Sequence, residues 1–217
     1  MRYTVRELQV VNLGLAPYAE TLARQRELAA ARIEGTIGDT LLLCEHPPVV
    51  TLGRSAKSEH ITVPLPAGVD LFEVERGGDV TFHGPGQLVG YPIIDLTQHK
   101  RDLHWYLREL EATLIDALAT FDIAAKRRPG LTGVWTESDR KIASIGVHAR
   151  QWVTWHGFAL NVTTNLSYFD LMVPCGIQGV DMTSISRERP DLNVDVAAAG
   201  AAVTEAFGQR FELQPIG

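Results

Sequence analysis

Three strand-length segments follow one another with no helix between them. They are GVWTES at 133–138, RKIASIGVHAR at 140–150 and WVTWHGFALNV at 152–162. Strands in such a run, joined by tight turns, favour antiparallel pairing and exclude a regular alternation of strand and helix. Upstream, residues 3–13, DTLLLCEH at 39–46, VVTLG at 49–53, LFEVERGG at 71–78 and QLVGYPIIDL at 87–96 also have strand character. Helical spacing appears in three places. At 16–35, Tyr18, Leu22, Gln25, Ala29 and Ile33 repeat on one face, and Gly35 can stop the helix in a left-handed conformation. At 102–121, Leu103, Leu107, Leu110, Leu114, Leu118 and Phe121 line one face behind the N-cap Asp102. At 195–208, Asp195 caps a helix that should end near Gly208. The order predicts an α+β fold, with a mixed, mostly antiparallel sheet flanked by helices, in one domain over 1–217. Residues 167–179 (SYFDLMVPCGIQG) read as irregular.

Charge narrows the function. The formal net charge is −6, so the chain has no basic footprint for nucleic acid. The densest basic run, Lys126, Arg127 and Arg128, reads as a solvated loop. The first residues lack the basic-then-apolar pattern of a secretion signal, and no stretch approaches ~18 apolar residues. The expectation is a cytoplasmic enzyme with no membrane span. Cys44 and Cys175 stand apart with no CxxC, so both read as free thiols in a reducing compartment. No metal site is expected: HExxH is absent, and the residues between His148 and His156 read as a turn at Gln151–Trp152.

Residues 76–92, RGGDVTFHGPGQLVGYP, hold five glycines and two prolines. Glycine loses the most backbone freedom on folding, so this density calls for close approach of something to the main chain. The stretch is neither GxxxxGK[ST] nor GxGxxG, so a phosphate cradle is disfavoured. An uncharged ligand against glycine backbone, with apolar side chains lining a slot, is one reading. A tight loop between strands is the other. His83, inside the stretch, suits a general base, a metal ligand or a pocket wall.

Two further residues carry chemistry. Cys175 lies between Pro174 and Gly176, a bend that can expose a thiol, and a nearby cation would favour the nucleophilic thiolate. Cys44, after three leucines, reads as a small buried hydrophobe. Lys141 begins a strand; its position alone suggests a solvated strand end, while desolvation would make it a base.

Taken together, RGGDVTFHGPGQLVGYPIIDL, GVW, RKIASIGVH, HGFALNV and VPCGI resemble the ordered motifs of the lipoyl(octanoyl) transferase family. The resemblance runs from EHPPVVTLGR to VPCGIQGVDMTSI. It implies a fold similar to lipoate and biotin protein ligases. It implies transfer of an octanoyl group from octanoyl-acyl carrier protein to a lysine of lipoyl domains, such as those of 2-oxoacid dehydrogenases or the glycine cleavage H protein, without a cofactor. It places the nucleophile on Cys175 and its partner, which lowers the thiol pKa and moves protons, on Lys141. Substrate contacts fall on Arg76, Gly77, Gly78, Asp79, Val80, Thr81, Phe82 and His83, on Ser144, Ile145 and Gly146, and on Gly157, Phe158 and Ala159. Val80, Phe82, Ile145 and Phe158 are then the expected apolar walls. An ATP-dependent lipoate-protein ligase of the same fold is the alternative. That family resembles a triple-glycine run followed by His-Asp, whereas Gly84-Pro85-Gly86 follows His83 here. A cysteine hydrolase and a non-catalytic carrier-binding module fit the set of motifs less well.

Overall fold

The computed structural model describes residues 6–172 and 179–217. β1 (Arg6–Leu15) leads through α1 (Tyr18–Ile33) to β2 (Asp39–Glu45) and β3 (Val49–Leu52). β4 (Asp70–Glu73), β5 (Val80–His83) and β6 (Gln87–Ile93) precede α2 (Leu103–Ala119). β7 (Ala125–Lys126), β8 (Val134–Thr136), β9 (Lys141–Arg150) and β10 (Val153–Asn161) follow. α3 (Ile185–Glu188), α4 (Val196–Phe211) and β11 (Leu213–Ile216) close the described chain.

Among the described residues the main sheet has eight strands, in the order β11-β1-β2-β6-β10-β9-β8-β7. β1 pairs parallel with β11 and β2, and every other neighbour in this sheet is antiparallel. A second sheet, β4-β3-β5, is part parallel and part antiparallel. The expected mixed, mostly antiparallel sheet with flanking helices is therefore the observed one.

Side-chain alternation sorts the main sheet into two apolar faces. Leu41, Leu43, Leu88, Phe158 and Leu160 point to the side covered by α2 and α4, where Leu110, Leu114, Leu118, Val203 and Phe207 meet them. Leu42, Cys44, Val89, Tyr91 and Ala159 point to the other side, against Ala29 of α1. Val50, Val80 and Phe82 of the small sheet form a separate cluster with Phe169, Met172 and Met182.

The helix ends follow from local chemistry. The Asp102 carboxylate accepts the amides of His104 and Trp105, and Asp195 accepts that of Ala198, so both expected N-caps are present. Gly35 is left-handed at φ 72°, just past α1. Leu103, expected on the buried face, is 39% exposed, because it lies in the first turn before α2 meets the sheet. Gly208 does not end α4. A Cβ there would lie 2.9 Å from the Leu213 carbonyl oxygen, so this glycine lets β11 fold back on the helix. Glu212, at φ 54°, makes the left-handed stop instead. β11 itself, and β5 within the glycine-rich stretch, are strands the sequence pattern hides behind proline and glycine. The strand expected over 71–78 stops at Glu73, and residues 76–78 are loop. The β9–β10 turn has Gln151 and Trp152 both at positive φ, which matches the right-handed twist of the two strands. No helix among the described residues is long and apolar enough to cross a membrane.

Candidate active site

The glycines of the 76–92 stretch serve different ends: Gly78 is at φ 84°, Gly86 meets the Thr163 backbone, and Gly84 and Gly90 admit the rings of Phe82 and Phe158. Gly77 donates its amide to the Val147 carbonyl of β9 at 2.8 Å. A Cβ on Gly146 would lie 2.7 Å from the Gly77 carbonyl oxygen. On the other side, a Cβ on Gly53 would strike the Gly78 carbonyl. The 76–78 loop is thus pressed between the end of β3 and the middle of β9, and a side chain on either flank would push it away. Gly146 pairs with Gly157 of β10, and a Cβ on Gly157 would strike the Gly90 carbonyl of β6. Facing glycines on adjacent strands leave a trough in a sheet that is otherwise densely filled.

That trough is the floor of a cavity of about 210 Å³. Val89, Ile145, Phe158, Ala159 and Leu131 supply apolar lining. Tyr18, Arg76, Asp79, Thr81, His83, Tyr91, Ser144 and His156 supply polar groups. Of the expected substrate-contact residues, Arg76, Gly78, Asp79, Thr81, His83, Ser144, Ile145, Gly146, Gly157, Phe158 and Ala159 line this one space. Gly77, Val80 and Phe82 do not. Alternation on β5 explains two of them: Thr81 and His83 face the cavity, while Val80 and Phe82 enter the small-sheet cluster, where Phe82 stacks on Tyr168. Two of the expected apolar walls, Val80 and Phe82, are therefore structural, and Val89 and Leu131 take their place. Tyr18, Val89, Tyr91, Gly130, Leu131, Thr132 and His156 were not legible as lining residues. Tyr18, Val89 and Tyr91 carry only the ordinary periodicity of their helix and strand.

Partners fix several of these polar groups. Arg76 is buried; its Nη2 donates to the carbonyl and the hydroxyl of Thr51, both at 2.8 Å. Asp79 accepts the Val80 amide at 2.7 Å and lies 2.8 Å from His60 Nδ1. His46 Nδ1 donates to the Ala16 carbonyl at 2.7 Å, so its Nε2 accepts the Tyr91 hydroxyl at 2.8 Å. Burial holds the His46 pKa below its ordinary value and Tyr91's well above. His156 sits at φ 57° within β10, an uncommon backbone for a strand residue, and Gln25 Oε1 accepts its amide at 2.9 Å. His83 Nδ1 lies 2.8 Å from Gln87 Oε1, and the ring stacks parallel to Tyr18. Burial, reinforced by the nearby His46, depresses its pKa to about 3, so the ring is neutral at physiological pH. Among the described residues no group of three or more His, Cys, Asp and Glu side chains is arranged to hold a metal ion.

Lys141 is not the solvated strand end its position suggested. Its side chain is fully buried, and Nζ lies 5.1 Å from the centroid of the Trp135 ring. Its amide donates to the Asp181 carbonyl at 2.8 Å and its carbonyl accepts the Thr183 amide at 2.8 Å. The same strand then supplies Ser144, Ile145 and Gly146 to the cavity. Gly133 packs against the lysine stem, and the fully buried Glu111 of α2 accepts the Gly133 amide at 3.1 Å. Glu111 also meets Arg108 at 2.6 Å and Arg127 at 3.2 Å, while Arg128 lies over the Trp135 ring system, 5.9 Å from a ring centroid. Two members of the basic run are therefore part of the support around Lys141. Cys175 lies outside the described residues. Cys44 is buried as expected, and desolvation followed by the Glu45 charge pushes its thiol up to about 12, far from a working nucleophile.

A mixed sheet with helices on both faces thus carries a partly apolar cavity over facing glycines. A putative lipoate protein ligase from T. acidophilum superposes with a TM-score of 0.75 at 15% identity, over 97% of this chain and 87% of its own. Biotin protein ligase from Aquifex aeolicus superposes with a TM-score of 0.53 at 12% identity, over 94% of this chain and 69% of its own. These likenesses define the fold. At the sequence level, the model of the lipoyl protein ligase A/B catalytic domain matches residues 17–208. An octanoyltransferase of Solibacter usitatus is 55% identical over 206 residues, 93% of this chain and 92% of its own. The chain belongs to the lipoyl protein ligase A/B catalytic-domain family, in its octanoyltransferase branch, and is an acyltransferase.

Proposed function

We propose that the enzyme moves an octanoyl group from octanoyl-acyl carrier protein to the ε-amine of a lysine on a lipoyl domain, through a thioester on Cys175. The observation that carries the reading is the burial of Lys141. Lys141 is fully buried and opens the strand that goes on to wall the cavity, which supports a role in the chemistry there. Its main chain is bonded to Asp181 and Thr183, which follow Cys175 closely in sequence.

In this mechanism Lys141 takes the proton of the Cys175 thiol. The thiolate attacks the donor thioester carbonyl, the C–S bond to the phosphopantetheine arm breaks, and that sulfur leaves with the proton from Lys141. A neutral lysine amine then attacks the new thioester. Its surplus proton passes to Lys141 and on to the departing Cys175 sulfur. The product is an amide, more stable than the thioester it replaces, so no ATP is consumed. Burial at ~0.8 kcal/mol per CH₂ lets the octanoyl tail hold the substrate in the trough. The reaction is placed in the cytoplasm, where a reducing poise keeps Cys175 a thiol.

Intact-mass analysis tests the reading. Octanoyl-acyl carrier protein without acceptor should leave the enzyme heavier by one octanoyl group, and Cys175→Ser should abolish that adduct. Transfer that proceeds with no adduct, or that runs on octanoate and ATP alone, would overturn it.

A further inference from the structure

His83 lines the cavity, yet its pKa of about 3 makes it too weak a base to share the work of Lys141. What the fold controls instead is its tautomer. Gln87 Nε2 lies 3.2 Å from the Phe82 carbonyl oxygen and 2.9 Å from Asn161 Oδ1, and Asn161 Nδ2 lies 3.0 Å from the Thr183 carbonyl oxygen. A backbone carbonyl only accepts. Thr183 therefore requires the amide nitrogen of Asn161 at its end, which leaves Asn161 Oδ1 facing Gln87. Phe82 independently requires the amide nitrogen of Gln87 at its own contact. Gln87 Oε1 is then the atom 2.8 Å from His83 Nδ1, and it can only accept. The hydrogen of the neutral ring must sit on Nδ1, and Nε2 is left as a bare lone pair.

Gln87 and Asn161 face each other at the end of the β6–β10 ladder, and both are fully buried. Buried amides are kept where their hydrogen bonds specify an arrangement, since an apolar pair at these positions would avoid their desolvation. Their chain ends on Thr183, whose amide is bonded to Lys141. One relay thus ties the ring in the cavity to the backbone that holds the buried lysine.

We propose that Gln87 and Asn161 are positioning residues that lock His83 as its Nδ1–H tautomer, so that Nε2 accepts an N–H of the attacking amine and aims its lone pair at the acyl carbon. The proposal rests on the two-step transfer described above. An octanoyl chain offers nothing to a bare nitrogen. The substrates carry N–H groups in two places, the amides of the pantetheine arm and the lysine amine, and only the amine has its N–H on the reacting atom. Donation from Nδ1 to Gln87 enriches the Nε2 lone pair without protonating the ring.

Long-range ¹H–¹⁵N correlation spectra of the wild-type enzyme read the tautomer directly. His83 should show a protonated Nδ1 and an unprotonated Nε2, and Gln87→Met should convert it to a mixture. In single-turnover assays His83→Phe, which keeps a ring against Tyr18, should slow amine attack about tenfold, the scale of one hydrogen bond, while octanoylation of the enzyme changes little. The octanoyl adduct should accumulate. Gln87→Met should slow the same half-reaction. A wild-type Nε2–H tautomer overturns the proposal. So does a His83→Phe enzyme slowed chiefly in octanoylation, which would put the pantetheine arm on Nε2. If the wild type forms no adduct, the two-step reading fails separately, and the lock stands or falls on the tautomer.

Discussion

Lys141 Nζ lies 5.1 Å from the centroid of the Trp135 ring, and both side chains are fully buried. A cation over an indole face is attracted by the ring quadrupole, which compensates part of the cost of desolvation. The contact helps to hold the ammonium in place.

Lys141→Arg keeps the charge but a guanidinium does not release its proton in proteins. Transfer should fall by about 10²–10⁴, the contribution of a positioned acid–base group. Its pH–rate profile should lose the limb that the wild type owes to this group. A profile superposing on the parent's would remove Lys141 as the base. Trp135→Leu should fold less stably and lower the rate by a smaller factor, read in the same single-turnover assay.

Glu111 joins α2 to the loop that lines the cavity. It accepts the Gly133 amide at 3.1 Å and meets Arg108 at 2.6 Å. Glu111→Ala leaves the Gly133 amide without its acceptor, at a cost of about 1–3 kcal/mol, while the partly exposed Arg108 and Arg127 can turn to solvent. Urea unfolding should show the loss as a lower midpoint with an unchanged slope. Glu111→Gln, which can still accept from Gly133, should lose less.

Gly146→Ala tests the trough. Its Cβ would lie 2.7 Å from the Gly77 carbonyl oxygen, so the 76–78 loop must shift. The expected cost is about 1–3 kcal/mol in stability, typical of overpacking. The octanoyl-binding step should weaken with it, seen as a raised KM for the octanoyl donor. Gly35→Ala, in open space at φ 72°, should cost stability through the backbone alone and leave KM unchanged.

Acid should destabilise the fold in two windows. His46, His83 and His156 are neutral and buried, with pKa values lowered first by desolvation. Between the unfolded value of ~6.5 and the folded value, the unfolded chain binds more protons, so stability falls as pH drops through that interval. The slope approaches about 1.4 kcal/mol per pH unit for each such ring. Asp39 acts lower on the scale. Burial opposes its ionisation, but His99, the Asp95 amide and Arg32 outweigh burial and hold its carboxyl below the usual range. Its contribution is present above the unfolded value of ~3.9 and is lost as pH falls towards the folded one. Urea titrations at pH 7, 5 and 3.5 should resolve both, and His83→Phe should flatten the upper window. An unchanged slope in that variant would show that His83 is not depressed.

Caps, turns and side-chain periods were legible because each is decided within a few residues. Asp102 and Asp195 cap their helices because a short carboxylate reaches amides two or three positions on. The Gln151–Trp152 turn and the run of antiparallel strands follow from spacing of the same local kind. β5 and β11 were hidden because their pairing is with distant strands, β3 and β1, and overrides unfavourable glycine and proline. Likewise, the family motifs named Lys141, His83 and the residues of β9 and β10, but not Tyr18, Tyr91 or Leu131, which reach the cavity from elements far apart in sequence.

The sequence by itself therefore determined the long helices and most strands, the α+β order and the family to which the chain belongs. Tertiary structure alone decided that Lys141 is buried on Trp135, that Val80 and Phe82 turn away from the cavity, and that Gly53 and Gly146 let the 76–78 loop sit against their strands. It also decided which ring nitrogen of His83 carries the hydrogen. The reason is physical: periodicity and capping are local, whereas desolvation, close approach and the direction of a hydrogen-bond chain depend on residues that only the fold brings together.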